Sequence, residues 1–111
     1  TLAGGAPRAM TPEYASPEQT RGEPAGTPGD VYSLGVLLYE LLTGRRPYGF
    51  TSRSPDEVAR VVCAEEPGRL DAAAVGLRPG RAAELDTVVA RAMHKDPARR
   101  YASAEQLADD V

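Results

Sequence analysis

The chain has 111 residues, which is the size of one domain. Hydrophobic residues make up 41% of it and charged residues 26%, proportions typical of a globular protein and not of a disordered one. A net charge of −3, with both signs mixed along the chain, argues against a nucleic-acid or anionic-membrane surface. A single cysteine, Cys63, excludes an internal disulfide and a cysteine zinc site, and we interpret it as a small hydrophobic residue on a helix.

The lengths of the apolar runs also predict where in the cell the protein is located. The longest apolar run, "VYSLGVLLYELL", is far shorter than the roughly 20 residues that span a bilayer, and no signal peptide is recognisable. We therefore expect a cytoplasmic protein, while a parent protein could carry a membrane anchor outside this segment. Because the chain begins at Thr1 in loop-like sequence, we expect it to be a piece of something longer.

The first elements follow from glycine, proline and capping residues. Residues 1–15 read as a loop, and "TPEYASPEQ" within it is stiffened by two prolines. Ser16 as N-cap, Pro17 at the first helical position and Gly22 as a stop predict a short helix of about two turns.

A longer helix is predicted next, in "DVYSLGVLLYELLTG". Asp30 serves as its N-cap and Gly44 closes it. Apolar residues cover most of its circumference, which predicts a helix buried on nearly all sides. They stand at positions 31, 34, 36, 37, 38, 41 and 42.

Three further helical patterns complete the chain. Ser54 and Pro55 begin a helix of about ten residues, and positions 66–80 read as a connecting loop. Apolar residues spaced i, i+3, i+4, i+7 and i+8 predict an amphipathic helix, and Ser103 caps a last helix. No strand pattern stands out, so we predict an all-α fold of five or six helices around the Asp30–Thr43 helix. The apolar positions are Val58, Val61 and Val62 in the first helix, Leu85, Val88, Val89, Ala92 and Met93 in the second, and Leu107 in the last.

Three motifs in this order carry a resemblance: "TPEYASPEQ", "GDVYSLGVLLYELLTGRRPY" and "HKDPARRYASAEQL". Together they closely resemble the C-terminal lobe of a bacterial, eukaryotic-like serine/threonine protein kinase. The resemblance covers essentially the whole chain and implies the mainly helical C-lobe of that fold, without its N-lobe and catalytic loop. It divides the partial domain into an activation-segment end, 1–19, and a helical subdomain, 20–111.

The resemblance implies a docking role for the loop. Thr11 matches the threonine whose hydroxyl, in serine/threonine kinases, bonds the catalytic base and its neighbouring lysine. Pro12 stiffens the loop, and the ring of Tyr14 is expected to pack beneath it. Without this resemblance Thr11 would read as an ordinary surface threonine.

The resemblance also implies structural anchors. Glu18 matches a glutamate that forms an ion pair with a distant arginine, here Arg100, which directly precedes Tyr101 and must be distinguished from Arg99. Glu18 can equally be read as a first-turn acid favoured by the helix dipole. Asp30, besides capping its helix, would bond the backbone of the catalytic loop and so orient the catalytic base.

The chain lacks the Gly-rich loop, the Val-Ala-x-Lys strand, His-Arg-Asp with a downstream Asn, and Asp-Phe-Gly. We therefore expect no catalytic residue, no metal ligand and no ATP binding in this segment, with ATP and Mg2+ bound by the full-length parent. Met10 stands where the family often has Gly, so the chain departs from the family pattern at this position of the loop, and Thr1 is a candidate phosphosite. A phosphate on Thr1 would need an arginine cluster that the chain does not include.

The expected partners are a protein substrate and the remainder of the kinase domain, with no nucleic acid and no membrane contact from this segment. The parent reaction would be transfer of the ATP γ-phosphate to protein Ser or Thr. The alternatives are a pseudokinase remnant or helical interaction module without catalysis, and a stand-alone helical domain that resembles a kinase by chance.

Overall fold

The structure is a computed structural model that describes residues 12–52, 54–71 and 76–111. The described residues form helices and contain no strand, as the sequence predicts. Short 3₁₀ turns precede the first helix and the last one. The helices are α1 (Pro17–Thr20), α2 (Gly26–Thr43), α3 (Pro55–Ala64), α4 (Pro79–Ala92) and α5 (Ala104–Asp110), and the turns are Pro12–Tyr14 and Pro97–Arg99.

Capping residues fix where three helices begin, and here the predictions are confirmed. The Ser16 side chain accepts a hydrogen bond from the Gln19 amide, and the Gln19 side chain accepts one from the Ser16 amide, so α1 opens with a full capping box. The hydroxyls of Ser54 and Ser103 accept in the same way at the starts of α3 and α5.

Helix α2 begins earlier than predicted, so the prediction of Asp30 as its N-cap is wrong. The N-cap position is Ala25, which makes no side-chain cap bond, and Asp30 lies within the helix with its side chain exposed. The early start is allowed because Pro28 falls in the first turn, where a helix does not need the missing N–H. The predicted end is confirmed, since Gly44 adopts the left-handed conformation with φ of 70°.

Burial of α2 is also less complete than predicted. One side of α2 is fully buried and includes Tyr32 and Val36, both 0% exposed. The opposite side presents Leu34, Leu37 and Leu41 at 38%, 44% and 82% exposure. These three positions, spaced i, i+3 and i+7, share one helix face with Asp30. We call Leu34, Leu37 and Leu41 the leucine face of α2.

The buried side of α2 lies against α4, whose predicted apolar face is confirmed. The two helices approach closely at Gly35. A Cβ atom built there would lie 2.9 Å from the Ala92 Cβ and 2.8 Å from the Met93 Cγ. The buried side chains of α4 and the turn after it are Ala82, Leu85, Val88, Val89, Ala92 and Met93.

Helix α3 packs against α1 through its C-terminal end. Val58, Val61 and Val62 are buried, which confirms the predicted apolar face. The Cys63 side chain is half-buried, and its Sγ lies 3.4 Å from the Thr20 hydroxyl and 3.7 Å from the Pro17 carbonyl oxygen. Within the described ranges, none of the helices has the length and apolar character to cross a bilayer.

Candidate functional site

The centre of the candidate site is an ion pair between Glu18 in α1 and Arg100, which are 82 positions apart in the sequence. The Arg100 Nη1 and Nη2 atoms lie 2.7 and 2.8 Å from the two Glu18 carboxylate oxygens, which is a bidentate geometry. Both side chains are almost fully buried, at 0% and 5% exposure. The structure thus brings together the two residues that the sequence analysis paired, and Arg99 points to solvent instead.

The remaining Arg100 donors are satisfied by backbone carbonyls. Nε donates to the His94 oxygen at 2.6 Å, Nη1 to the Pro28 oxygen at 3.0 Å and Nη2 to the Lys95 oxygen at 3.4 Å. All five guanidinium N–H groups therefore have an acceptor, which is what a buried arginine requires. Through these contacts one side chain joins α1, the start of α2 and the segment before α5.

The protonation state of Glu18 follows from the same contacts. Burial raises the pKa of the Glu18 carboxyl, but the hydrogen bonds from Arg100 and from the Glu18 amide, with the Arg100 charge, outweigh burial and lower the pKa overall. The carboxylate is therefore ionised at neutral pH, and the pair holds the C-terminal end of the loop against the helical base.

A second contact holds the loop at Tyr14. Its hydroxyl donates to the Glu40 carboxylate at 2.6 Å, and its carbonyl accepts from the Ser33 hydroxyl at 2.8 Å. The bond to Glu40 is the main cause of the raised pKa of Tyr14, with burial second. The ring is half-buried against the core. Tyr14 is therefore fixed on α2 at both its backbone and its hydroxyl.

The α2 residues that bind this loop were not predicted from the sequence. Ser33 and Glu40 are polar positions within a largely apolar helix run, and that interruption was the only signal available. Glu13, beside Tyr14, is buried, and its carboxylate lies 3.5 Å from Arg46 just after α2. No motif pointed to the contact between Glu13 and Arg46.

The remaining predicted site residues are Thr1, Thr11, Pro12 and Asp30. Thr1 and Thr11 lie outside the described residues, and Pro12 begins the 3₁₀ turn that leads into α1. Asp30 is exposed on α2, on the side of the leucine face. Its predicted role toward a catalytic loop stays a prediction.

A helical lobe whose N-terminal loop is pinned to its base by a buried bidentate ion pair matches the C-terminal lobe of protein kinases. The model of the family described as "Protein kinase domain" matches residues 6–111. The chain therefore belongs to the protein kinase domain family, and the resemblance to bacterial serine/threonine protein kinases is confirmed.

Several bacterial relatives cover most of this chain. It is 46% identical over 101 residues to a probable serine/threonine-protein kinase of Corynebacterium efficiens, and 44% identical over 101 residues to serine/threonine-protein kinase PknB of Mycobacterium tuberculosis. Each match covers 91% of this chain and 15% of the relative. The chain thus spans about one seventh of the length of these relatives.

Solved structures give the same fold. The twitchin kinase region from C. elegans superposes with a TM-score of 0.67 at 30% identity, covering 88% of this chain and 16% of that one. A twitchin kinase fragment superposes with the same TM-score at 31% identity, covering 89% of this chain and 21% of that one. The mainly helical, C-lobe fold class is confirmed.

Proposed function

We propose that this chain is the substrate-docking half of a serine/threonine protein kinase domain that transfers the ATP γ-phosphate to protein Ser or Thr. The observation that carries the proposal is the buried Glu18–Arg100 pair, because it fixes α1, the helix that follows the docking segment 11–14, on the helical base. Phosphoryl transfer depends on holding the acceptor hydroxyl in line with the phosphate, so a rigidly mounted docking loop contributes directly to rate.

Within this proposal Thr11, Pro12 and Tyr14 bind and orient the protein substrate, and Glu18 and Arg100 hold that loop in place. The contacts of Tyr14 with Glu40 and Ser33 support the assignment, since they mount the loop on α2 from a second side. ATP and Mg2+ would be bound by the remainder of the kinase domain, and the segment would be inactive by itself. We place the reaction in the cytoplasm.

The leucine face supports contact with the remainder of the domain. Three leucines on one helix, beside the exposed carboxylate of Asp30, form the kind of apolar patch that marks a protein interface. An occupant from the same domain would bury the leucines and give Asp30 backbone amides to bind.

The leucine face also predicts how the separate chain behaves. We expect the 111-residue chain to self-associate, and Leu37→Glu with Leu41→Glu to weaken that association by more than about tenfold, since each buried leucine contributes about 1.5–3 kcal/mol. Sedimentation at several concentrations measures this. The control, Ala83→Glu with Ala90→Glu at two exposed positions of α4, adds the same charge elsewhere and should change association little. A wild-type chain that stays monomeric would contradict this prediction.

The docking role is tested in a chimera in which this chain replaces the matching segment of the C. efficiens kinase. Thr11→Ala is expected to lower the rate of phosphoryl transfer to a casein substrate by about 100-fold, the size of effect that misplacing a reacting group produces. Thr27→Ala, an exposed threonine on α2, is the control and should keep the full rate. The separate chain, tested alongside, should transfer nothing.

Two results would count against the docking role. Equal rates for Thr11→Ala and Thr27→Ala would remove the function assigned to Thr11. A folded chimera that binds ATP but transfers no phosphate would favour the alternative, a pseudokinase or helical interaction module.

A further inference from the structure

A second cation, which is half-buried, lies next to the Glu18–Arg100 pair. Lys95 is the only lysine of the chain and is half-buried. Its Nζ donates to the Tyr48 hydroxyl at 2.8 Å and to the Val62 carbonyl oxygen at the end of α3. Burial lowers the pKa of Lys95, and the charge of Glu66 partly opposes this. Burying an ammonium is unfavourable unless its N–H groups find acceptors, and here two acceptors are present.

Lys95 and Arg100 belong to one closed set of contacts, which we call the four-residue ring. The Tyr48 hydroxyl lies 2.8 Å from the Tyr32 hydroxyl, and the Arg100 guanidinium lies 5.0 Å from the centroid of the Tyr32 ring. The set closes where Arg100 Nη2 donates to the Lys95 carbonyl oxygen. Tyr32 and Tyr48 are 0% and 5% exposed, so the contact between their hydroxyls is shielded from water.

The four-residue ring connects α1, which carries Glu18 of the candidate site, with α3. Arg100 holds α1 through Glu18, and Lys95 holds the end of α3 through Val62. Helices α1 and α3 also touch each other where Cys63 meets Thr20. One short segment, 94–100, therefore fixes both helices at once and sets their relative position.

We propose that Lys95 is a positioning residue for the substrate-docking loop, acting through Tyr48 and Val62 to hold α3 against α1. This inference rests on the proposed function. Lys95 itself does not touch substrate in this proposal. Removing the Lys95 ammonium leaves Glu18 and Arg100 paired, but α3 loses its bond to segment 94–100. The surface that α1 and α3 form beside the docking loop therefore shifts.

The test compares wild type with Lys95→Met, which keeps an unbranched side chain only one atom shorter but removes the three donors. Hydrogen exchange of two amides that bond within this region, Thr20 in α1 and Glu23 just after it, is expected to become about tenfold faster. This is the change that losing one hydrogen bond to a charged group gives in a locally opening segment. In the chimera, the KM for the protein substrate should rise about fivefold, as expected for lost ground-state binding, with kcat and the KM for ATP unchanged within about twofold.

Matched variants separate positioning from packing. Tyr48→Phe removes only the hydroxyl and should move α1 exchange and the KM in the same direction, even if Lys95→Met folds poorly. Lys95→Arg should keep α1 exchange and the KM for the protein substrate close to their wild-type values, because a guanidinium can reach the same acceptors. Arg69→Met removes an exposed cation, 87% accessible, and should change neither.

The positioning role of Lys95 is decided by the hydrogen-exchange rates of the α1 amides, measured in the 111-residue chain and in the chimera. Unchanged α1 exchange and KM in Lys95→Met and Tyr48→Phe, with only a lower melting temperature, would overturn the positioning role. A wild-type chimera without activity would contradict the proposed function instead, and the exchange rates would still decide the role of Lys95.

Discussion

Replacing Arg100 with alanine is expected to lower the free energy of unfolding by about 3–5 kcal/mol, the cost of leaving a buried charge without its partner. The variant strands the Glu18 carboxylate, which is 5% exposed, and also removes the donors to the His94 and Pro28 carbonyls. Chemical denaturation of the chimera or of the chain measures the loss. An effect this large is a substantial share of the total stability of a small domain.

The neighbouring arginine provides a matched control. Arg99 is 72% exposed and lies 3.8 Å from Asp96, so Arg99→Ala should change stability by less than about 1 kcal/mol. Arg100→Lys keeps the charge but loses the two-pronged contact, and should fall between wild type and Arg100→Ala. Equal effects of Arg99→Ala and Arg100→Ala would contradict the assignment of the buried pair.

The Glu18–Arg100 pair should also make the free energy of unfolding depend on pH in the acid range. Because the folded-state pKa of Glu18 is lowered, the stabilisation it provides is complete above the ordinary glutamate pKa of about 4.3 and is lost as the pH falls through the folded pKa. The deficit of Glu18→Gln relative to wild type should therefore be largest near neutral pH and should shrink below about pH 4. A deficit that does not change with pH would mean that the carboxylate charge is not what stabilises the contact.

Gly35→Leu is the second substitution with a large expected effect, a loss of about 3 kcal/mol in the free energy of unfolding. Even a single added carbon would lie 2.9 Å from the Ala92 Cβ, and Ala92 cannot move away without shifting α4. The Met93 Cγ atom would lie 2.8 Å from the added carbon, but the Met93 side chain can move because it is flexible. Thermal or chemical denaturation measures the loss.

Alanine substitutions at two glycines are expected to change the free energy of unfolding in opposite directions. Gly80→Ala, in the first turn of α4 with no atom within 4 Å of the added carbon, should stabilise the protein by up to about 1 kcal/mol through helix propensity. Gly35→Ala gains the same propensity but forces α2 and α4 apart, so it should destabilise. A stabilising Gly35→Ala would show that the helices can separate at no cost.

The helices could be predicted because their signals are local. Serine caps at 16, 54 and 103, the Gly44 terminus and the spacing of apolar residues in α4 each act within a few positions, and the structure follows them. The start of α2 was predicted wrongly because Asp30 is a strong cap residue by type, while the helix extends through Pro28 to Gly26. The preference of Asp30 for the N-cap position did not decide where α2 begins, because the first turn of a helix tolerates a proline.

Burial and polar networks could not be predicted with the same success. An apolar circumference indicates that α2 can be buried on all sides, but the leucine face stays exposed, because what covers a face depends on distant sequence. The Glu18–Arg100 pair was found only through the family resemblance, since 82 positions separate the partners. Nothing in the sequence indicated that Lys95 would reach Tyr48, because a single lysine reads as a surface residue.

The proposal that this chain is a working substrate-docking half is tested most directly by the rate at which the wild-type chimera transfers phosphate from ATP to protein Ser or Thr. We expect transfer within about tenfold of the intact C. efficiens kinase, a deficit of about 1.4 kcal/mol in the activation barrier. We expect no transfer by the 111-residue chain alone. A chimera that is folded and binds ATP but does not transfer phosphate would contradict the docking function and would favour a binding module.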